Sequence, residues 1–157
     1  MKVVKRDGTQ EEVKIEKILH AVNRACRGID GVESLEIAKR TISGLHEGST
    51  TQELDELSIS NAVLLMSEEP NYSKVAARML SDSIRKEVGR DLAFRDYVQK
   101  AADLGLLNGL VLELAQQDVS ALEYAIRHER DDLFDYFGLK TVADRYLLRS
   151  PQTRKII

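Results

Sequence analysis

Helical periodicity dominates the hydrophobic pattern of this chain. Apolar residues recur every three or four positions between residues 15 and 26, and again between residues 35 and 45. This spacing places them on one face of an α-helix. Gly28 follows the first segment and the turn His46-Glu47-Gly48 follows the second, as expected where helices end. The pattern therefore predicts two amphipathic helices.

Two further helices are predicted before residue 90. Thr50 and Glu53 form a capping-box pattern ahead of a largely apolar segment that extends to Met66. The segment Ser67-Glu68-Glu69-Pro70 interrupts the pattern, and a fourth periodic segment ends near Gly89. A first domain over residues 1–90 follows, with four helices.

A β-hairpin is predicted at the start of the chain. Asp7-Gly8 lies between Val3-Val4 and the segment from Thr9 to Val13, and Asp-Gly is favoured in two-residue hairpin loops. Such a loop sets Val4 opposite Glu11, and a slip of one residue would exchange the two faces. In the two-residue register, one face carries Val4, Arg6, Thr9, Glu11 and Val13.

The second domain, residues 91–157, has mainly helical patterns. A helix from residue 93 to 104 is closed by Gly105, a leucine-rich stretch follows, and Asp118 or Ser120 can cap another helix. A charged bend at residues 128–132 precedes a last helix over residues 133–144. Residues 154–157 are typical of the first half of a strand, as if a longer chain had been cut.

Composition excludes several classes of function. The 157 residues carry 23 Lys and Arg against 26 Asp and Glu, so no general attraction to nucleic acid or anionic membrane is expected. No apolar run approaches the length of a membrane span, and a cytoplasmic location is the expectation. Cys26 is the single cysteine, the three histidines are scattered, and neither a metal site nor a catalytic group is predicted.

A local basic cluster surrounds the predicted hairpin. Lys5 and Arg6 lie at the loop, and Lys14 and Lys17 lie where the chain enters the first helix. A helix N-terminus favours phosphate, because its first N–H groups have no partner within the helix. Glu11, on the apolar face, suits a hydroxyl or amino group of a ligand. The alternative is a surface hairpin with solvated charges.

Lys86 and the threonine pair Thr50-Thr51 are ambiguous. Lys86 lies at the margin of the apolar stripe of the fourth helix, where it either extends to water or reaches with Lys5 towards a polyanion. A helix cap is sufficient reason for either threonine, although a second hydroxyl beside the cap could contact phosphate.

These residues carry a family resemblance. The first domain resembles the ATP-cone, a nucleotide-sensing domain at the N-terminus of ribonucleotide reductase large subunits. The second resembles the helical segment that leads from the cone to the catalytic barrel in class I enzymes. The matching motifs are residues 3–8, Glu11, Lys17-Ile18, Thr51, Ala76-Ala77-Arg78 and Arg85-Lys86 in the first domain, and Phe94-Arg95-Asp96-Tyr97-Val98, Leu104-Gly105, His128, Arg130-Asp131, Phe134-Asp135-Tyr136 and Arg145-Tyr146-Leu147 in the second.

The resemblance implies an α+β fold, in which a four-helix bundle is capped by a small three-stranded mixed sheet and followed by an all-α segment. It also implies an allosteric region of ribonucleoside-diphosphate reductase, in deoxyribonucleotide synthesis. The effector is ATP, which leaves the enzyme active, or dATP, which inhibits it, with Mg²⁺. The partners are the rest of the large subunit and the radical-generating small subunit. This chain alone should be inactive, because one cysteine cannot supply the radical and the reducing pair.

The resemblance also implies a nucleotide site. Lys5, Arg6 and Lys86 would hold the phosphates, with Lys17 and Thr51 nearby, and the segment from Glu11 to Ile18 would line the base and ribose. Some large subunits have Asn in place of Lys14 and His in place of Asp55, both near the nucleoside, so the preference between ATP and dATP stays open.

Two other functions remain possible from the sequence. One is a cone-bearing transcriptional repressor, but that family carries a zinc ribbon ahead of the cone, and this chain starts at the cone with a single cysteine. The other is a helical interaction module without a ligand.

Overall fold

The structure, a computed structural model, describes residues 1–89, 92–117 and 119–157. The predicted domain boundary at residues 90 and 91 and the predicted cap Asp118 lie outside these residues. Within them the chain is mostly helical, and no helix is long and apolar enough to cross a membrane. The elements are β1 (Lys2–Val4), β2 (Gln10–Glu12), α1 (Ile15–Cys26), α2 (Ser34–Ser43), α3 (Thr51–Leu65), α4 (Tyr72–Val88), α5 (Phe94–Asp103), α6 (Gly109–Gln116), α7 (Ser120–Ala125), a 3-10 helix (His128–Leu133) and α8 (Tyr136–Arg145).

Contacts divide the chain into two compact units. The first comprises Met1–Ser83 and Asp132–Lys140, and the second comprises Ile84–Asp131 and Thr141–Ile157.

The core of the first unit is built from the first four helices. The Tyr72 hydroxyl accepts a hydrogen bond from the Glu33 backbone N–H at 2.9 Å and so joins the start of α4 to the start of α2. This core confirms the amphipathic helices predicted from periodicity. Its buried members are Ile18, Val22, Ala25, Ile37, Ala62, Leu65, Tyr72, Val75 and Ala76.

The buried face of α2 differs from the predicted one. Leu35 is 54% exposed, whereas Ile37 and Thr41 are fully buried. Thr41 can be buried because its hydroxyl donates to the Ile37 carbonyl at 2.8 Å, which satisfies the polar group within the helix. Ala38 is also buried, and Ile42 and Leu45 are partly buried against the core.

The hairpin register is shifted by one residue from the predicted register. Val3, not Val4, lies opposite Glu11, and Lys5 donates its backbone N–H to the Thr9 carbonyl at 2.7 Å. Arg6, Asp7 and Gly8 therefore form a three-residue loop. The two-residue loop was wrong because Gly8 alone takes a positive φ, +83°, the arrangement of a type I turn followed by a glycine bulge.

The described residues form a two-stranded sheet rather than a three-stranded one. The segment before α3 makes a single parallel bridge to β1 at Thr50, supported by the Val4 N–H donating to the Ser49 carbonyl at 2.9 Å. A third strand does not develop because Thr50 is already the N-cap of α3.

In the second unit, Val98 and Ala101 of α5 are buried. Arg95 donates to the carbonyls of Ala115 and Gln117 at 3.0 and 2.9 Å, which holds the end of α6 against α5. The strand predicted over residues 154–157 is represented by one antiparallel bridge, between Arg149 and Ile156.

The last helix begins later than predicted. Residues 128–133 form a 3-10 helix, and α8 starts only at Tyr136, in the first unit. Asp135 explains this start, because its carboxylate accepts a hydrogen bond from the Gly138 N–H at 2.6 Å.

Candidate functional site

Glu11 joins two of the predicted site lysines. Its Oε2 atom lies 2.5 Å from the Nζ of Lys5, and its Oε1 atom accepts a hydrogen bond from the Nζ of Lys17. Lys5 follows β1, Glu11 is in β2, and Lys17 is in the first turn of α1. In the corrected register, Lys5 and Glu11 lie on the same face of the hairpin. Side chains alternate between the two faces, so Lys5 lies on the face of Val3, and Val3 is directly opposite Glu11.

These contacts favour the charged forms of Glu11 and Lys5. Hydrogen bonds from Lys17 and Lys5 lower the pKa of Glu11 from its ordinary 4.5 to about 2, against the opposing effect of desolvation. The hydrogen bond to Glu11 in turn raises the pKa of Lys5. The group therefore carries one negative and two positive charges at neutral pH, and it remains accessible, with 43% and 63% of the lysine side chains exposed.

Arg6 connects the hairpin loop to α3. Its Nη2 atom lies 3.5 Å from the Oδ2 atom of Asp55, a residue in the second turn of that helix. The loop is stabilised locally, because Asp7 accepts hydrogen bonds from the hydroxyl and N–H of Thr9 at 2.6 and 2.9 Å. The bond from the Thr9 hydroxyl is the main reason that the pKa of Asp7 is lowered.

The N-terminus of α1 faces the same end of the first unit. Lys14 is its N-cap residue and makes no side-chain cap hydrogen bond. A lysine cannot accept a hydrogen bond from the first N–H groups, unlike Ser, Thr, Asp or Asn. This helix end is thus positive in two ways, through its backbone dipoles and through Lys14 and Lys17.

The N-terminus of α3 is capped by its own side chains. Thr50 accepts a hydrogen bond from the Glu53 N–H at 3.0 Å, and Glu53 accepts one from the Thr50 N–H at 2.8 Å. This confirms the capping box. Thr51 is the first residue of the helix and is partly buried, and its hydroxyl is not required for the cap.

Ile18 and Lys86 are two further residues of the predicted site. Ile18 is 4% exposed and packs in the core, so its side chain is not available to line an open site. Ile15, one turn earlier and 47% exposed, is an apolar side chain within the segment from Glu11 to Ile18 that the resemblance assigns to the base and ribose. Lys86 is partly buried in the last turn of α4, within the second unit.

Arg78 is an important residue to which sequence reasoning gave no role. Its guanidinium donates to the carbonyls of Ala25 and Arg27, at 3.1 and 2.7 Å, and to both carboxylate oxygens of Asp132. It therefore fixes the C-terminal end of α1, whose N-terminal end carries Lys17. The motif Ala76-Ala77-Arg78 was the available signal, since it places an arginine beside residues small enough for close helix packing.

No metal centre or reactive thiol is present among the described residues. No group of three His, Cys, Asp or Glu side chains is arranged to hold a metal ion within residues 1–89, 92–117 and 119–157. Cys26 is partly buried, and desolvation raises the pKa of its thiol, which disfavours the reactive thiolate.

Comparison with known proteins gives a consistent family. The family described as the ATP cone domain matches residues 1–87, more than half of the chain. Among curated proteins, the chain is 34% identical to the ribonucleoside-diphosphate reductase large chain of Schizosaccharomyces pombe, across 95% of this chain and 20% of that protein. It is 31% identical to the large subunit of the same enzyme from Arabidopsis thaliana, again across 95% of this chain and 19% of the relative. The chain thus spans about a fifth of the length of these relatives.

Proposed function

We propose, since this chain belongs to the ATP-cone family, that its first unit is an allosteric region that binds an adenine nucleotide at the hairpin. The observation that carries the proposal is the convergence of Lys5 and Lys17 on one point from two different elements. Such convergent, exposed cations beside an uncapped helix N-terminus form an arrangement that favours a polyphosphate.

The residues divide between the two ends of the nucleotide. Lys5, Arg6 and Lys17 bind phosphate oxygens, and the hydroxyl of Thr51 adds a neutral donor. Support for this division comes from the hairpin contacts, since Arg6 and Lys5 are adjacent in the chain and both reach acidic groups on the hairpin side of the first unit. The contribution of Lys86 to phosphate binding is a prediction from the family resemblance.

Glu11, Lys14 and Asp55 contact the nucleoside. A carboxylate accepts hydrogen bonds from a ribose hydroxyl or an exocyclic amino group, whereas it repels phosphate. Two acceptors, Glu11 and Asp55, are thus available to distinguish ATP from dATP, which differ by one hydroxyl group. Ile15 supplies an exposed apolar side chain for contact with the base.

Mg²⁺ accompanies the nucleotide rather than a preformed protein site. The carboxylates near the hairpin, Glu11 and Asp55, are paired with cations, and octahedral Mg²⁺ is typically bound through phosphate oxygens and water with few protein ligands. When bound with the nucleotide, the ion would neutralise part of the triphosphate charge, and Lys5 and Lys17 would bind phosphate oxygens.

The regulated activity belongs to a longer protein. The relatives are large subunits of ribonucleoside-diphosphate reductase, and we propose that ATP keeps such an enzyme active whereas dATP inhibits it. The partners are then the rest of the large subunit and the radical-generating small subunit, in the cytoplasm. The chain alone is expected to have no reductase activity, because its one cysteine cannot serve as both radical carrier and reductant.

Isothermal titration calorimetry of the chain with Mg·ATP and Mg·dATP tests the proposal. We expect saturable binding of one nucleotide type or both, and weaker binding of Mg·GTP, because recognition of the base adds to phosphate binding. No heat of binding for any adenine nucleotide, with the fold verified by circular dichroism, would refute it.

A further inference from the structure

We propose that Glu11 acts as an internal counter-anion, which occupies the two phosphate-binding lysines in the free protein and is displaced by the polyphosphate of the ligand. This inference rests on the proposed function of the same site. It adds a competition step: the ligand enters a site whose two lysines are already paired with one carboxylate of the protein.

The geometry of Glu11 carries this inference. Each oxygen of its carboxylate contacts a different lysine, so one side chain satisfies both cations at once. Glu11 is in β2, Lys5 follows β1 and Lys17 is in α1, and the contact therefore links both sides of the hairpin to the helix. A phosphate that binds both lysines through the same donors must first separate them from Glu11.

Exposure makes the displacement feasible. The side chain of Glu11 is 23% exposed, and those of Lys5 and Lys17 are 43% and 63% exposed. Ion pairs at such positions are weak, because water screens the attraction and two flexible side chains must be held in place. A triphosphate presents several charged oxygens on one molecule and outcompetes a single carboxylate, while a weaker monovalent anion does not.

Displacement gives Glu11 a second role. The residue lies opposite Val3, which is 6% exposed, and this pairing keeps its backbone fixed while its side chain moves. Once the lysines bind phosphate, the released carboxylate can accept a hydrogen bond from the nucleoside. Phosphate binding thus makes the Glu11 carboxylate available as a hydrogen-bond acceptor for the nucleoside part of the ligand.

Inorganic tripolyphosphate isolates the first step, because it has neither base nor sugar. We expect Glu11→Gln to bind tripolyphosphate about three- to tenfold more tightly than the unaltered chain in calorimetry, the effect of removing two exposed ion pairs. Glu12→Gln is the matched control. It removes the same charge from the neighbouring residue on the opposite face, and its affinity should stay within about twofold.

Three outcomes would overturn the inference: unchanged affinity in Glu11→Gln, weaker affinity, or an equal gain in Glu12→Gln. If the unaltered chain still binds Mg·ATP, the proposed function survives that failure. If no variant binds either ligand, the proposed function itself fails. If Glu11→Gln does not fold, Glu11→Asp is the test variant. The aspartate side chain is too short to contact both lysines, so this variant should also bind tripolyphosphate more tightly.

Discussion

Val3 lies directly opposite Glu11 in the hairpin, so a buried apolar side chain and a doubly paired carboxylate share one face. Lys5, two residues after Val3, lies on this face as well, where it pairs with Glu11.

Removal of Lys5 should weaken nucleotide binding selectively. We expect Lys5→Ala to reduce the affinity for Mg·ATP about 10- to 150-fold, the usual effect of losing a charge-assisted hydrogen bond. Lys2→Ala is the matched control, because Lys2 lies in the strand just before Lys5, on the opposite face, and is also exposed. Calorimetry of both variants makes the measurement, and an equal loss in the two would indicate general charge attraction rather than a site.

The paired state of Glu11 predicts a particular pH dependence. Its pKa is about 2 in the folded chain against an ordinary 4.5, so its ion pairs stabilise the fold fully above pH 4.5 and lose this effect as the pH falls towards 2. Thermal unfolding of the unaltered chain and of Glu11→Gln should differ by a constant amount at neutral pH. The difference should shrink between pH 4.5 and 2, and a difference that persists at pH 2 would show another origin.

Thr50 and Thr51 should separate stability from binding. Thr50→Ala removes the hydroxyl that caps α3 and should lower the free energy of unfolding by about 1 kcal/mol. Thr51→Ala should leave unfolding nearly unchanged and weaken nucleotide binding. Urea denaturation and calorimetry of the two variants test this, and the assignment of Thr51 would be incorrect if its variant bound Mg·ATP normally.

Arg78 should contribute to stability through its position rather than its charge. Arg78→Lys keeps the charge but loses the planar fork that reaches two carbonyls and Asp132, and should destabilise the chain by about 1–3 kcal/mol. Arg24→Ala, which removes a single exposed ion pair with Asp82, should cost at most about 1 kcal/mol. Equal losses of unfolding free energy for the two variants in urea denaturation would contradict the role of Arg78 in fixing the C-terminal end of α1.

Local signals explain which parts of the fold were predictable. The helices α1, α3 and α4 follow from apolar spacing and from stops such as Gly28, because each signal lies within the segment it describes. The capping box of Thr50 and Glu53 is likewise local. The buried face of α2 was only partly predicted, since Leu35 and Ile37 are both apolar and packing against other helices decides between them.

The hairpin register could not be predicted from the sequence alone. Asp7-Gly8 fits a two-residue loop and a three-residue loop equally well, and Val3 and Val4 are chemically identical. The burial of Val3 selects the register, and burial depends on tertiary structure. The sequence therefore predicted a cluster of Lys5, Arg6, Glu11 and Lys17, but not that Glu11 pairs with Lys5 and Lys17 while Arg6 pairs with Asp55.

The location of the bound nucleotide is the central claim, and amide chemical-shift mapping by NMR tests it most directly. On titration with Mg·ATP, we expect the largest shifts within residues 5–18 and 50–55, where the hairpin, the start of α1 and the start of α3 lie. Shifts confined to residues 92–117 and 119–157, or no shifts at saturating nucleotide, would contradict the assignment of the site to the hairpin.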